Sequence, residues 1–173
     1  MKTRLTAAAA SLALLAGNVL AQVPSDAQIA AVVVTANQVD IVAGKLAESK
    51  GSNAKVKAFA KQMVTDHSGV NKQAVELVTR LKVTPEDSPT SQSLKAGGAE
   101  NVKKLGKLSG AAFDRAYVDN EVTYHQAVLD TLDKTLIPSA QNAELKALLA
   151  AVKPAFVAHL DHAKNLQASL GKK

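Results

Sequence analysis

Met63-Val64-Thr65-Asp66-His67-Ser68-Gly69-Val70 places a histidine in the middle of a long apolar helical pattern. The chain repeats the arrangement at Glu121-Val122-Thr123-Tyr124-His125-Gln126-Ala127-Val128, where Val, Thr, His and Val coincide at an offset of 58 residues. Upstream, Ala58-Phe59 faces Ala116-Tyr117 at the same offset. Two helices that echo each other in this way read as two halves of one bundle.

Working outward, apolar residues recur at three-four spacing through Val56, Phe59, Met63, His67, Val70, Ala74, Leu77 and Leu81, predicting a helix from about Asn53 to Leu81. Before it, Ser25 and Gln28 form a capping box, and Ile29, Val33, Ala36, Asp40, Ala43 and Ala47 carry a first helix from about Asp26 to Lys50, stopped at Gly51. Val83 to Ser91, with Pro85 and Pro89, is a loop by composition. From Thr90 to Lys107 the pattern weakens around Gly97-Gly98, predicting a short, less stable helix. A third long helix follows from about Ala111 to Leu136 on Ala111, Asp114, Val118, Val122, His125, Leu129, Leu132 and Leu136, ended by Ile137-Pro138-Ser139. The last runs from about Ala140 to Leu170, through Leu149, Val152, Phe156, His159, Ala163 and Leu166, with a kink expected at Pro154. No stretch alternates with strand period. The fold class is therefore all-α: an antiparallel four-helix bundle with a short extra helix between helices two and three.

The first residues read as a secretory signal. Lys2 and Arg4 make a basic start, Leu5 to Leu15 an apolar run, and Val19-Leu20-Ala21 a small-residue cleavage site before Gln22. Residues 1–21 are thus expected to be removed, leaving 22–173 as one domain in the periplasm or outside the cell. The apolar run is about ten residues, shorter than the ~20 a spanning helix needs, and no later stretch is read as a transmembrane segment. The 173 residues contain no cysteine, which excludes thiol catalysis, thiolate metal sites and a lipidated N-terminal cysteine. The formal charge of +6 falls to +4 once Lys2 and Arg4 leave, with 19 basic residues against 15 acidic. Scattered lysines and only five aromatics argue against a nucleic-acid partner.

His67, His125 and His159 each fall near the middle of their own helix's apolar stripe, and Asp40 does so on the first helix. At ~1.5 Å rise per residue these positions lie within roughly a turn and a half of one level, so the four groups can converge. Imidazoles and a carboxylate buried together must pair with each other, with water or with a cation. Their nitrogen and oxygen donors suit zinc, iron or copper, with Glu121 one turn before His125 on the same side. Against a di-iron site of the ferritin kind, no Glu-x-x-His pair occurs in the chain. Asp66 is expected to orient a histidine or a backbone group on a neighbouring segment. Asp114, with Arg115 and Tyr117, is expected to anchor the connection before helix three, and His162 to be solvated. No Gly-x-Ser-x-Gly elbow or phosphate-binding glycine loop is present, so enzymatic chemistry has no motif behind it.

Val56-Lys57-Ala58-Phe59-Ala60, Met63-Val64, Asp66-His67, Leu108-Ser109-Gly110-Ala111-Ala112-Phe113-Asp114-Arg115-Ala116-Tyr117, His125, and Pro154 with His159-Leu160 and Ala163 resemble the bacterial exported family called domain of unknown function 4142. The similarity runs from about Asp26 to Gln167. It implies a ferritin-like helical bundle of the periplasm or outer envelope with no assigned reaction. By the resemblance, Asp66, His67, Phe113, Asp114, Tyr117, His125, Pro154 and His159 stand on motif positions. Three positions depart: Asp40 where glutamate is commoner, Tyr124 in place of an acid, and Lys153 where leucine is usual. Two functional readings follow. The first is a non-enzymatic exported bundle that binds an envelope partner or serves envelope stress tolerance, its histidines tuning the core. The second is a metal-binding or metal-dependent redox protein using His67, His125 and His159 with Asp40 or Glu121.

Overall fold

The computed structural model describes residues 23–171, so the expected signal at 1–21 lies outside the described residues. Among the described residues the regular structure is all helical: α1 (Asp26–Lys50), α2 (Ala54–Leu81), α3 (Pro89–Gly106), α4 (Gly110–Thr131), one π-helical turn (Leu132–Leu136), α5 (Ile137–Ser139) and α6 (Ala143–Gly171).

The starts of these helices follow from local chemistry. Ser25 and Gln28 close the expected capping box on α1, and Asn53 caps α2 through the Lys55 amide. A second box, Ser88 with Ser91, starts α3 with Pro89 in its first turn. This helix, Pro89–Gly106, fills the expected Thr90 to Lys107 segment to within one residue at each end and runs unbroken through Gly97-Gly98. It lies along α1, and a Cβ added at Gly98 would stand 2.7 Å from both Cγ atoms of Val39. The glycine that weakens the sequence pattern is what admits the close approach. The end of α4 differs from expectation. Pro138 has no N–H and crowds the carbonyl four residues back. The chain widens by a π turn, in which the Ile137 N–H donates to Leu132 O, and remains helical to Ser139. The last helix begins at Ala143 rather than Ala140, because Asn142 Oδ1 accepts from the Glu144 and Leu145 amides. Pro154 lies inside α6 on its exposed side, where water can take the carbonyl it leaves free.

Two apolar clusters fill the interior. One gathers Ile29, Val32, Val33, Val70, Leu77, Leu129, Leu149 and Phe156; the other gathers Ala47, Val56, Phe59, Met63, Phe113, Tyr117, Val118 and Leu166. Along α1 and α6 the chain passes from the first cluster to the second, and along α2 and α4 it passes from the second to the first. So α2 and α4 run the same way, and α3 joins them. This is why the sequences around His67 and His125 echo each other: both helices cross the same layers in the same order. Among the four long helices the closest pairs are α1 with α2 and α4 with α6. By length and apolarity alone α1 passes as a membrane span. In the fold most of that surface is buried, against α2, α3 and α4.

Candidate metal centre

Between the two apolar clusters lies a polar layer. Each long helix contributes to it at the point where it leaves one cluster for the other: Asp40 from α1, His67 from α2, Glu121 and His125 from α4, His159 from α6. All five side chains are buried. The imidazoles meet as a triangle, with ring centroids 5.5 Å apart for His67 and His125, 5.3 Å for His67 and His159, and 5.4 Å for His125 and His159.

Each ring is held by its outer nitrogen. His67 Nδ1 lies 2.7 Å from Asn37 Oδ1. The Asn37 amide nitrogen donates to Val33 O at 2.8 Å, so its oxygen accepts and His67 Nδ1 carries the proton. His125 Nδ1 lies 3.0 Å from the Glu121 carbonyl oxygen, and His159 Nε2 lies 2.9 Å from Asp66 Oδ2. A carbonyl and a carboxylate can only accept, so these nitrogens donate as well. In the neutral rings the remaining nitrogens, His67 Nε2, His125 Nε2 and His159 Nδ1, are bare lone pairs, and none has a hydrogen-bond partner. Both oxygens of Asp40 are equally without partners. Asp40 Oδ2 stands 3.3 Å from His67 Nε2 and 3.6 Å from His125 Nε2, without hydrogen-bonding to either.

Burial keeps the imidazoles neutral. It holds His67 down to about 2, with His125 and His159 adding to the shift. It also holds His125 down to about 4 against the opposing bond to the Glu121 carbonyl. His159 is lowered by burial too, partly offset by Asp66. The acids move the other way: burial pushes Asp40 up to about 7, and burial together with the nearby Asp40 raises Glu121 well above the carboxylate range. Three inward lone pairs and a carboxylate without a proton donor among them make an electron-rich pocket that a cation would satisfy.

The donors fit one. A tetrahedral ion with metal–nitrogen bonds of ~2.0–2.1 Å needs its donors about 3.3 Å apart, close to the two Asp40 distances. One nitrogen from each of His67, His125 and His159 can be chosen so that all three lie within 4.8 Å of one another. Asp40, Glu121 and His125 form a second such group. Ionised together, Asp40 and Glu121 carry the two negative charges that balance a divalent ion.

The other predicted positions divide. Asp66 is half-buried and orients His159 directly. Asp114 is buried, but its carboxylate does not anchor the segment before its own helix as expected. It accepts from the Ser52 and Asn53 amides at 2.9 Å and from the Ser52 hydroxyl, and so fastens the α1–α2 connection. Arg115 is exposed, and the Tyr117 hydroxyl is buried without a partner beside Glu121 and Asp40. Phe113 stacks on Tyr117 in the second cluster, and Pro154 stands outside the layer. His162 is exposed, against Phe59 and Gln62. Two residues were not singled out from the sequence. Asn37 sits one turn before Asp40, and a second polar residue at i−3 on a buried stripe was the available signal. Phe156, stacked on His67 at 5.1 Å, carried none beyond its place in an apolar stripe.

Neither a curated protein nor a solved structure matches the chain. The family model described as domain of unknown function (DUF4142) matches residues 7–166. That span begins before the Asp26 at which the resemblance was drawn and contains every residue of the polar layer. The chain belongs to the DUF4142 family.

Proposed function

We propose that the protein is an exported, ferritin-like four-helix bundle whose polar layer binds one divalent transition-metal ion, of the zinc, iron or copper class, through His67 Nε2, His125 Nε2, His159 Nδ1 and Asp40. The observation that carries the reading is the protonation pattern: each histidine spends its only proton on an outer acceptor and leaves a buried lone pair without a hydrogen-bond partner, in rings whose centroids lie 5.3 to 5.5 Å apart. Such outer-nitrogen bonds are the usual support of metal-bound histidines. A purely structural layer would leave these buried atoms unsatisfied, at roughly 1–3 kcal/mol each. Support for export is the basic, apolar and small-residue order of residues 1–21. Support for the ferritin-like bundle is the order in which four long helices cross two apolar clusters, with α3 joining two that run the same way.

The test is the metal content of protein purified from the periplasm without a histidine tag, followed by titration of chelator-stripped protein with zinc, copper and ferrous iron. The expected result is about one equivalent bound, with affinity lowered at least tenfold in His67→Gln and His159→Gln and unchanged in His162→Gln. Stripped protein that binds none of the three ions, or that binds them equally well in all variants, would leave the layer as a structural feature of an exported bundle.

A further inference from the structure

Against the histidine cluster, on the side of the first apolar cluster, the helices frame a partly open chamber of about 110 Å³. Its inner wall is Phe156, whose ring lies 5.1 Å from that of His67 and 6.3 Å from that of His125. Val33, Val128, Leu149 and the π-turn residue Leu132 make much of the rest.

We propose that this chamber binds a small uncharged apolar molecule, of the size class of dioxygen, and holds it beside the histidine cluster. The argument begins with what water would find there. A buried water needs two to four polar partners, and the polar groups on the inner walls are few, each already bonded within the protein. Asn37 bonds Val33 O and His67, the Tyr124 hydroxyl donates to Ala36 O, and the Thr131 hydroxyl donates to Ala127 O. Apolar walls of this kind disfavour ordered water: a closed, engineered apolar cavity of ~150 Å³ excludes water and takes up benzene or xenon. Its walls are also placed for use. The π turn, a feature that tends to occur at functional sites, sets Leu132 and Leu136 against it. The exposed Thr90 and half-buried Leu94, both on α3, lie at its rim, so the joining helix covers the entrance.

That the molecule is held there for the sake of a bound ion rests on the metal reading above; the capacity of the chamber does not. Xenon is the probe. Crystals of stripped and zinc-loaded protein pressurised with xenon are expected to show it within the chamber. Methyl shifts under xenon in solution are expected to concentrate on Val33, Val128 and Leu149. Val128→Phe, which fills the space, is expected to abolish both signals; Val152→Leu, a milder filling, is expected to weaken xenon binding severalfold. Ordered water in the chamber, absence of xenon from the wild type, or shifts spread over the surface would overturn the proposal. Xenon uptake by a protein that binds no metal would sustain the chamber and remove the metal reading; metal binding without xenon uptake would do the reverse.

Discussion

At the scale of single residues, Asp40 is the group whose behaviour would separate a metal-free protein from a loaded one. Burial raises its folded pKa to about 7 from an ordinary value of 3.8. The folded state therefore holds this proton more tightly than the unfolded chain does. The stability that this contributes is complete below pH 3.8 and is lost as pH rises through about 7. The surrounding histidines have the opposite sign, since folded pKa values below 6.5 remove stability as pH falls. Glu121 has the same sign as Asp40. Asp40→Asn changes one of these groups and leaves the others in place. In chelator-stripped protein at pH 8 the variant is expected to be more stable than the wild type by on the order of 1–3 kcal/mol, the gap narrowing towards pH 5. With saturating metal the order reverses, because an amide oxygen is a poorer ligand than a carboxylate. Urea unfolding at the two pH values, with and without zinc, checks both signs. A variant less stable than wild type under all four conditions would contradict the account. The sequence showed the four principal groups because a titratable residue in an apolar stripe stands out. It could not show which nitrogen of each ring faces inward, since Asn37, the Glu121 carbonyl and Asp66 decide that from two other helices and one backbone.

At the scale of the element, close helix approach is set by two glycines, Gly98, against Val39, and Gly44. Gly44 sits where α1 meets α2, and a Cβ there would lie 2.8 Å from Val64 Cγ2 and 3.2 Å from the Ala60 carbonyl oxygen. Alanine is favoured over glycine in a helix interior by roughly 0.8–1 kcal/mol, so propensity alone would make Gly44→Ala stabilising. The contact with a backbone oxygen cannot be relieved by turning a side chain, and overpacking of this kind costs about 1–3 kcal/mol. Gly44→Ala is therefore expected to lower stability despite its propensity, while Gly69→Ala, where nothing lies within 4 Å, is expected to raise it. Thermal denaturation of the two variants reads the difference in sign. The same physics explains what was legible. Helices α1 and α2 follow directly from stripes and capping residues. The continuity of α3 through Gly97-Gly98, the wide turn before Pro138 and the late start of α6 depend on the Val39 contact, on a ring-to-carbonyl clash and on the Asn142 cap, which no periodicity records. Asp114 was read as a local anchor because sequence shows neighbours along the chain, whereas its partners Ser52 and Asn53 lie 62 and 61 residues away.

At the scale of the whole molecule, the polar layer divides the interior into two apolar clusters, and an ion bound there would tie α1, α2, α4 and α6 together at their midpoints. Without it, buried lone pairs and an unpartnered carboxylate weaken the interior at the level where the two clusters meet. Binding to the folded state alone adds about 2.7 kcal/mol at a free ion concentration one hundred times Kd. For a domain of this size that corresponds to a rise in Tm of roughly 5–10 °C. The location of the gain is the more telling quantity. Amides of Asn37 to Ile41, Val64 to Ser68, Val122 to Gln126 and Phe156 to Leu160 flank the layer, and on loading their hydrogen exchange is expected to slow the most. The outer turns of the same helices, together with α3, are expected to change least, because the ion touches neither. His159→Gln should lose both the Tm rise and the local protection while keeping its helical circular dichroism. A uniform slowing along all helices, or protection centred on the exposed His162, would mean that the ion acts elsewhere and that the layer is not what joins the two halves of the core.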